Sequence, residues 1–223
     1  MQDYKIIEVK QSIFEDNDAD ASKLRNEIKS QKTCLINLMS APGAGKTTTL
    51  CQTINRLKDE MKIGVMEADI DSDVDAATVT EAGARAIQIH TGGMCHLDAD
   101  MTRQGLRELG TEDLDLVFLE NVGNLVCPAE FDTGSSKNAM ILSVPEGDDK
   151  PQKYPLMFSV CDVVLINKCD TLAVFSDFSK EDVEEHIHKL NPNAKVIFIS
   201  AKKGEGMDEW IDWLRGQVAE WNS

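Results

Sequence analysis

Cys95 and His96 stand side by side in the stretch TGGMCHLDAD, and Cys127 stands in ENVGNLVCP. Thiolate sulfur and imidazole nitrogen are ligands for Zn²⁺ or Ni²⁺. Positions 95 and 96 are the one place in the chain where a cysteine touches a histidine. Adjacent residues strain to chelate a single ion, and one chain supplies at most three such ligands here. A symmetric dimer would offer Cys95 and Cys127 twice across its two-fold axis. The plainer reading makes Cys127 a buried thiol, Cys95 a turn residue and His96 a surface residue, and spacing alone leaves both readings open.

A second constellation handles phosphate. MSAPGAGKTTTL follows an apolar run and opens a helical pattern. Gly43, Ala44 and Gly45 let backbone amides curl round a polyphosphate at a helix N-terminus. Lys46 would neutralise β- and γ-phosphate oxygens, the Thr47 hydroxyl would ligate Mg²⁺, and Thr48 continues the cradle. The general pattern wants glycine at position 40, where this chain has Ser40, and Ala41 replaces the signature lysine of one subclass.

A third constellation selects the base. Asn167, Lys168 and Asp170 form NKxD after the apolar run DVVLI. The Asp170 carboxylate accepts from guanine N1–H and its 2-amino group. Adenine offers neither donor, and an unpaired buried carboxylate costs about 1–3 kcal/mol or more. Asn167 would touch the other edge of the base and the Lys168 stem would cover the ring. Ser200, Ala201 and Lys202, in ISAKKG, read as the last guanine-binding loop.

Glu120, in LVFLENVG, occupies the place of the aspartate in DxxG. It would hold Mg²⁺ directly or through water, and the Gly123 amide would sense the γ-phosphate. Asp69, Asp71, Asp73 and Asp75 crowd EADIDSDVDAA. Asp69 is the better candidate for Mg²⁺ and Asp75 for positioning water, against an ordinary solvated acidic turn. No general base and no arginine finger is identifiable, so unaided hydrolysis is expected to be slow.

These groups need a scaffold that brings them to one end. Six short apolar runs, TCLINLM, KIGVMEA, ARAIQIH, LDLVFLE, DVVLINK and AKVIFIS, mostly alternate with helical patterns. That alternation predicts an α/β fold with a mainly parallel sheet and helices on both faces. Ligands then bind at the carboxyl ends of the strands, where all these motifs lie. Residues 1–32 read as a polar N-terminal extension with a helix over about 19–30, and residues 33–223 as the nucleotide-binding domain. A helix is expected over 46–60. Trp210, Trp213 and Leu214 fall at helical spacing and read as core. His186 and His188 lie two apart on a helix and point to different faces, and His90 reads as structural.

The 223 residues carry a net charge of −16, which argues against nucleic acid as a partner. No run of eighteen apolar residues suggests a membrane span, and the start of the chain lacks the apolar core of a signal peptide. A cytoplasmic location with reduced thiols is expected.

The stretches SAPGAGKTTTL, EADIDSDVDA, GGMCHLDADM, ENVGNLVCPAEFD and NKCD together resemble the nickel-incorporation GTPases of nickel–iron hydrogenase maturation, the HypB family. The resemblance covers about residues 33–215. It implies a P-loop GTPase of the SIMIBI class that dimerises with GTP, with Mg²⁺ beside the nucleotide. A Ni²⁺ or Zn²⁺ site of Cys95, His96 and Cys127 is implied at the dimer interface. Nickel is implied to pass to the hydrogenase large subunit with a second metallochaperone, HypA. A lysine reaching the partner's nucleotide is also implied, with Lys150 and Lys153 as candidates. Some members carry an N-terminal cysteine motif and a histidine-rich tract, and residues 1–32 hold neither cysteine nor histidine. Two alternatives are a related GTPase serving urease or another metalloenzyme, and a metal-storage or metal-sensing protein with little GTPase activity. The urease relative has Cys-Pro-His, whereas here Cys127-Pro128 is followed by Ala129.

Overall fold

Short runs of valine, isoleucine, leucine and methionine bounded by glycine, proline and acidic residues become strands. The computed structural model describes residues 9–69 and 74–223. Helix α1 (Val9–Ser30) leads into β1 (Cys34–Ser40), α2 (Lys46–Leu57), β2 (Ile63–Asp69), α3 (Val74–Ala82), β3 (Arg85–His90), α4 (Ala99–Leu109) and β4 (Leu116–Glu120). There follow the single turn α5 (Cys127–Glu130), β5 (Lys137–Ser143), the short helices α6 (Lys150–Lys153) and α7 (Pro155–Ser159), β6 (Val163–Asn167), α8 (Lys180–Leu190), β7 (Lys195–Phe198) and α9 (Met207–Trp221).

The strands form one seven-stranded sheet in the order β3-β2-β4-β1-β5-β6-β7, with every pairing parallel. Strands β1, β4 and β6 are buried along their whole length, as expected where helices cover both faces. Along β1 the side chains alternate between two core layers. Ile36 and Leu38 join Ile54, Leu57, Trp210 and Leu214 under α2 and α9. On the other face, Leu35 joins Leu24, Ile28, Leu106, Val117 and Leu119 under α1 and α4. Met39 joins Met140, Val164, Phe158 and Ile187 under α7 and α8. Each such side chain contributes about 1.5–3 kcal/mol on burial.

Two elements differ from the sequence expectation. Strand β5 was not among the six anticipated runs, because it opens on polar Lys137 and Asn138. Both are held by one carboxylate at the sheet's edge. Lys137 Nζ lies 3.2 Å from Asp162 Oδ1, and the Asn138 N–H donates to Asp162 Oδ2 at 2.8 Å. Helix α1 runs from Val9, not from about 19. Its polar outer face hides the inner stripe Ala21, Leu24 and Ile28, which are at most 2% exposed.

The sheet order places the site. From β1 the chain winds to one side through β2 and β3, returns to insert β4 beside β1, then winds to the other side through β5, β6 and β7. The loop after β1 therefore opens at the reversal, where crevices form at the strands' carboxyl ends.

Candidate nucleotide and metal sites

Gly45 caps α2 with φ of 105°, a left-handed conformation that glycine adopts without strain. A Cβ there would stand 2.5 Å from Asn167 Nδ2. That close approach ties the phosphate loop to the base-selecting loop. Asn167 Nδ2 donates to the Ala44 carbonyl at 2.9 Å, and Asn167 Oδ1 accepts from the N–H groups of Lys168 (2.7 Å) and Ala201 (3.1 Å). Asn167 is thus a brace between three loops, a role that the motif alone did not reveal. Lys168, with φ of 62°, sends its ammonium to the Gly43 carbonyl at 2.7 Å. The Ser200 hydroxyl donates to Asp170 Oδ1 at 2.7 Å and holds that carboxyl below its ordinary pKa.

Two cavities of about 520 Å³ each meet at Gly45 and Thr48. Gly43, Lys46, Thr47, Glu120 and Gly123 line the first. Asn167, Lys168, Asp170, Ser200, Ala201 and Lys202 line the second. Ala44 is buried beneath them and contributes its carbonyl to the brace. The departure at Ser40 has a use here. Its buried hydroxyl accepts from Lys46 Nζ at 3.1 Å, while Lys46 Nζ lies 3.8 Å from Glu120 Oε1. The ammonium is held over the loop before any phosphate arrives.

Glu120 does not stand alone. In the register of the parallel sheet it pairs with Glu67, and Glu67 pairs with Gln88. All three line the first cavity, and Glu67 is 2% exposed. Glu67 and Gln88 were not anticipated; the signal was Glu67 inside the apolar run KIGVMEA. The hydroxyl of Thr47 and the buried carboxylates are hard oxygen donors, a set that fits Mg²⁺. Asp71 and Asp73 lie outside the described residues, as do the side chains of Asp69, which ends β2, and Asp75, in α3. Gly123 presses its Cα against Pro42; a Cβ would meet Pro42 atoms at 3.1–3.3 Å. The phosphate loop and the segment after β4 are thus packed directly against each other.

That segment carries Cys127. Asn124 Oδ1 accepts from the N–H groups of Val126 (2.7 Å) and Cys127 (3.2 Å), turning the chain into α5. Cys95 and His96 lie in the loop between β3 and α4, closed by Thr91 Oγ1 donating to the Met94 carbonyl at 2.7 Å. Asp98 caps α4 by accepting from the Met101 N–H at 2.8 Å. The structure sets Cys95 within reach of His96 and of Cys127. Cys95 Sγ lies 3.9 Å from His96 Nδ1, and the Cys95 thiol within reach of Cys127 is the main cause of the latter's raised pKa. Burial lowers the pKa of His96, which favours the neutral imidazole that ligates metal. The His96 ring stacks on Phe131, with centroids 3.8 Å apart and planes at 9°. Among the described residues, no group of three or more His, Cys, Asp or Glu side chains stands ready to enclose a metal. All six cysteines are free thiols. Met94 and Val126, the large apolar side chains flanking the two thiols, are 44% and 51% exposed.

The remaining candidates lie apart. His186 Nδ1 is 3.0 Å from the Asp148 carbonyl and His188 Nε2 is 3.1 Å from the Ala194 carbonyl. His90 ends β3. Trp210 is 1% exposed, stacks on Trp213 and donates to Thr53 Oγ1 at 2.9 Å. Lys150 and Lys153 lie on α6, with Lys153 paired to Asp149 at 2.5 Å.

The family model "CobW/HypB/UreG, nucleotide-binding domain" matches residues 34–198. Hydrogenase maturation factor HypB of Rhizobium leguminosarum bv. viciae is 43% identical over 98% of this chain and 73% of its own length. The crystal structure of hydrogenase maturation factor HypB from Archaeoglobus fulgidus has 39% identity and a TM-score of 0.84, covering 91% of this chain and 98% of that one. The structure of HypB from Helicobacter pylori in complex with nickel has 38% identity and a TM-score of 0.85, covering 92% of this chain and 96% of that one. With a phosphate loop, a guanine-selecting NKxD loop and a thiol–imidazole cluster at one end of a parallel sheet, this chain belongs to the CobW/HypB/UreG family and, within it, to HypB.

Proposed function

We propose that this protein is a metal-responsive GTPase that binds and slowly hydrolyses GTP and couples that cycle to insertion of Ni²⁺ into nickel–iron hydrogenase. It acts in the cytoplasm as a GTP-dependent homodimer, with HypA and the hydrogenase large subunit as partners. The observation that carries this reading is that one segment, Glu120 to Cys127, begins in the phosphate cavity and ends at the thiol cluster.

Asp170, kept ionised by Ser200, accepts from the guanine edge, and Asn167 keeps the base loop in register with the phosphate loop. Lys46 exchanges Glu120 for phosphate oxygens and carries charge that develops as water attacks the γ-phosphate in line. Thr47 and Glu120 would hold Mg²⁺, with Asp69 completing the set, and bound Mg²⁺ would screen the phosphate charge. Asp75 would position the attacking water. The Gly123 amide would read the γ-phosphate and shift Cys127 relative to Cys95 and His96. Two copies would then pool four thiolates and two imidazoles, and nickel would be cargo, released when hydrolysis resets the segment. Among the described residues no helix is long and apolar enough to cross a membrane.

The test is one variant compared with the parent. Cys127→Ala is expected to abolish tight Ni²⁺ binding while the monomer binds GTP as before. A Ni²⁺ titration of Cys127→Ala that matches the parent puts the site elsewhere.

A further inference from the structure

The two ligand-bearing loops are irregular backbone, and each would hinge alone unless something outside them held both. Helix α1 touches both. One side chain makes the bridge. Asn17 Nδ2 donates to the Asp132 carbonyl at 3.0 Å, and Asn17 Oδ1 accepts from the Ala99 N–H at 3.0 Å. Asp132 follows Cys127 by five residues and Ala99 follows His96 by three. The same helix sends Phe14 against Phe131, with centroids 4.9 Å apart, and Phe131 is the ring on which His96 stacks. Two further ties fix the helix itself. Arg25 donates to both Asp132 carboxylate oxygens, at 2.6 and 2.8 Å, and Arg103 of α4 donates to the Asp20 carbonyl at 3.1 Å.

We propose that α1 splints the two metal-binding loops into one body, and that Asn17 is the positioning residue through which it does so. The inference rests on the reading that Cys95, His96 and Cys127 take the metal. Asn17 touches none of these three in any hydrogen bond of its own; it fixes the backbone that follows them on each loop. Preorganised ligands bind a metal without first ordering the chain that carries them, and groups that orient ligands from outside typically change metal affinity by about 10–100-fold. The carboxamide suits the task because it joins a carbonyl on one loop to an N–H on the other. A carboxylate keeps the second tie and loses the first.

Ni²⁺ is titrated into the full chain and followed by thiolate-to-nickel charge-transfer absorption, for the parent, Asn17→Ala, Asn17→Asp, Cys127→Ala and Glu27→Gln. Glu27 pairs with Arg103 of α4 at 3.3 Å, with its carboxylate half exposed, so its variant controls for general loosening of the helix. Asn17→Ala is expected to weaken Ni²⁺ binding about 10–100-fold, with an altered absorption envelope, unchanged GTP affinity and Glu27→Gln like the parent. Asn17→Asp is expected to weaken binding in the same direction. If Asn17→Ala does not fold, Asn17→Asp decides. Parent-like titration of the folded Asn17 variant while Cys127→Ala loses the metal overturns the splint and leaves the metal assignment standing. Parent-like titration of Cys127→Ala overturns the metal assignment and the splint with it.

Discussion

In the proposed reading Asp170 carries the choice of base, because a carboxylate must be matched by two donors or be left unpaired. The Ser200 hydroxyl occupies one oxygen and favours the charged form. Asp170→Asn is expected to weaken GTP by about 10–100-fold and to admit XTP; competition binding with GTP and XTP measures it, and an unchanged preference contradicts the guanine assignment. The thiols divide by burial. Cys34 is pushed up to about 11 and Cys161 further still, both by desolvation. Brief alkylation of the native protein at neutral pH is therefore expected to spare both, and to label Cys127 slowly because its pKa is also raised, while labelling the part-exposed Cys95, because only the thiolate reacts. Added Ni²⁺ is expected to protect Cys95 and leave Cys51 labelled. Peptide mass mapping reads the pattern; labelling of Cys95 unaffected by nickel would contradict its role as a ligand. At this scale the sequence was most legible where chemistry needs a residue type, as in Lys46, Thr47 and NKxD. It was least legible where a residue acts by position. Asn17 and Gln88 belong to no motif, and their roles come from neighbours far along the chain.

Among the elements, α1 packs closely on the turn before β5. Gly134 has φ of 76°, and a Cβ there would stand 2.8 Å from Leu24 Cδ2 and 3.1 Å from Leu24 Cβ. Leu24 is 2% exposed, so it has little room to yield. Gly134→Ala is expected to cost about 1–3 kcal/mol from backbone strain and crowding together. In a domain of this size that is a fall in Tm of about 2–12 °C. Thermal unfolding checks it, and an unchanged Tm would mean that α1 is not pressed against the turn. The strands most easily read in the sequence are those buried on both faces, β1, β4 and β6, whose residues have no reason to be polar. Strand β5 escaped because its first two residues are polar partners of Asp162. The first half of α1 escaped because its sequence, VKQSIFEDNDA, is mostly polar and acidic and shows no sustained helical apolar repeat.

For the molecule as a whole, the sheet turns two chemistries into one device. The reversal at β1 gathers the phosphate loop, the base loop and the thiol-bearing loops at one end, and Gly123 leans on Pro42 of the phosphate loop. In the proposed reading nucleotide, metal and dimer are coupled, and coupling of this kind is reciprocal. The direct measurement is Ni²⁺ titration with and without a non-hydrolysable GTP analogue, with molecular mass recorded in each state. The account predicts that the analogue drives the mass to a dimer, changes Ni²⁺ affinity by about 5–150-fold and lowers the stoichiometry per chain. The same affinity, stoichiometry and mass with and without the analogue would contradict it.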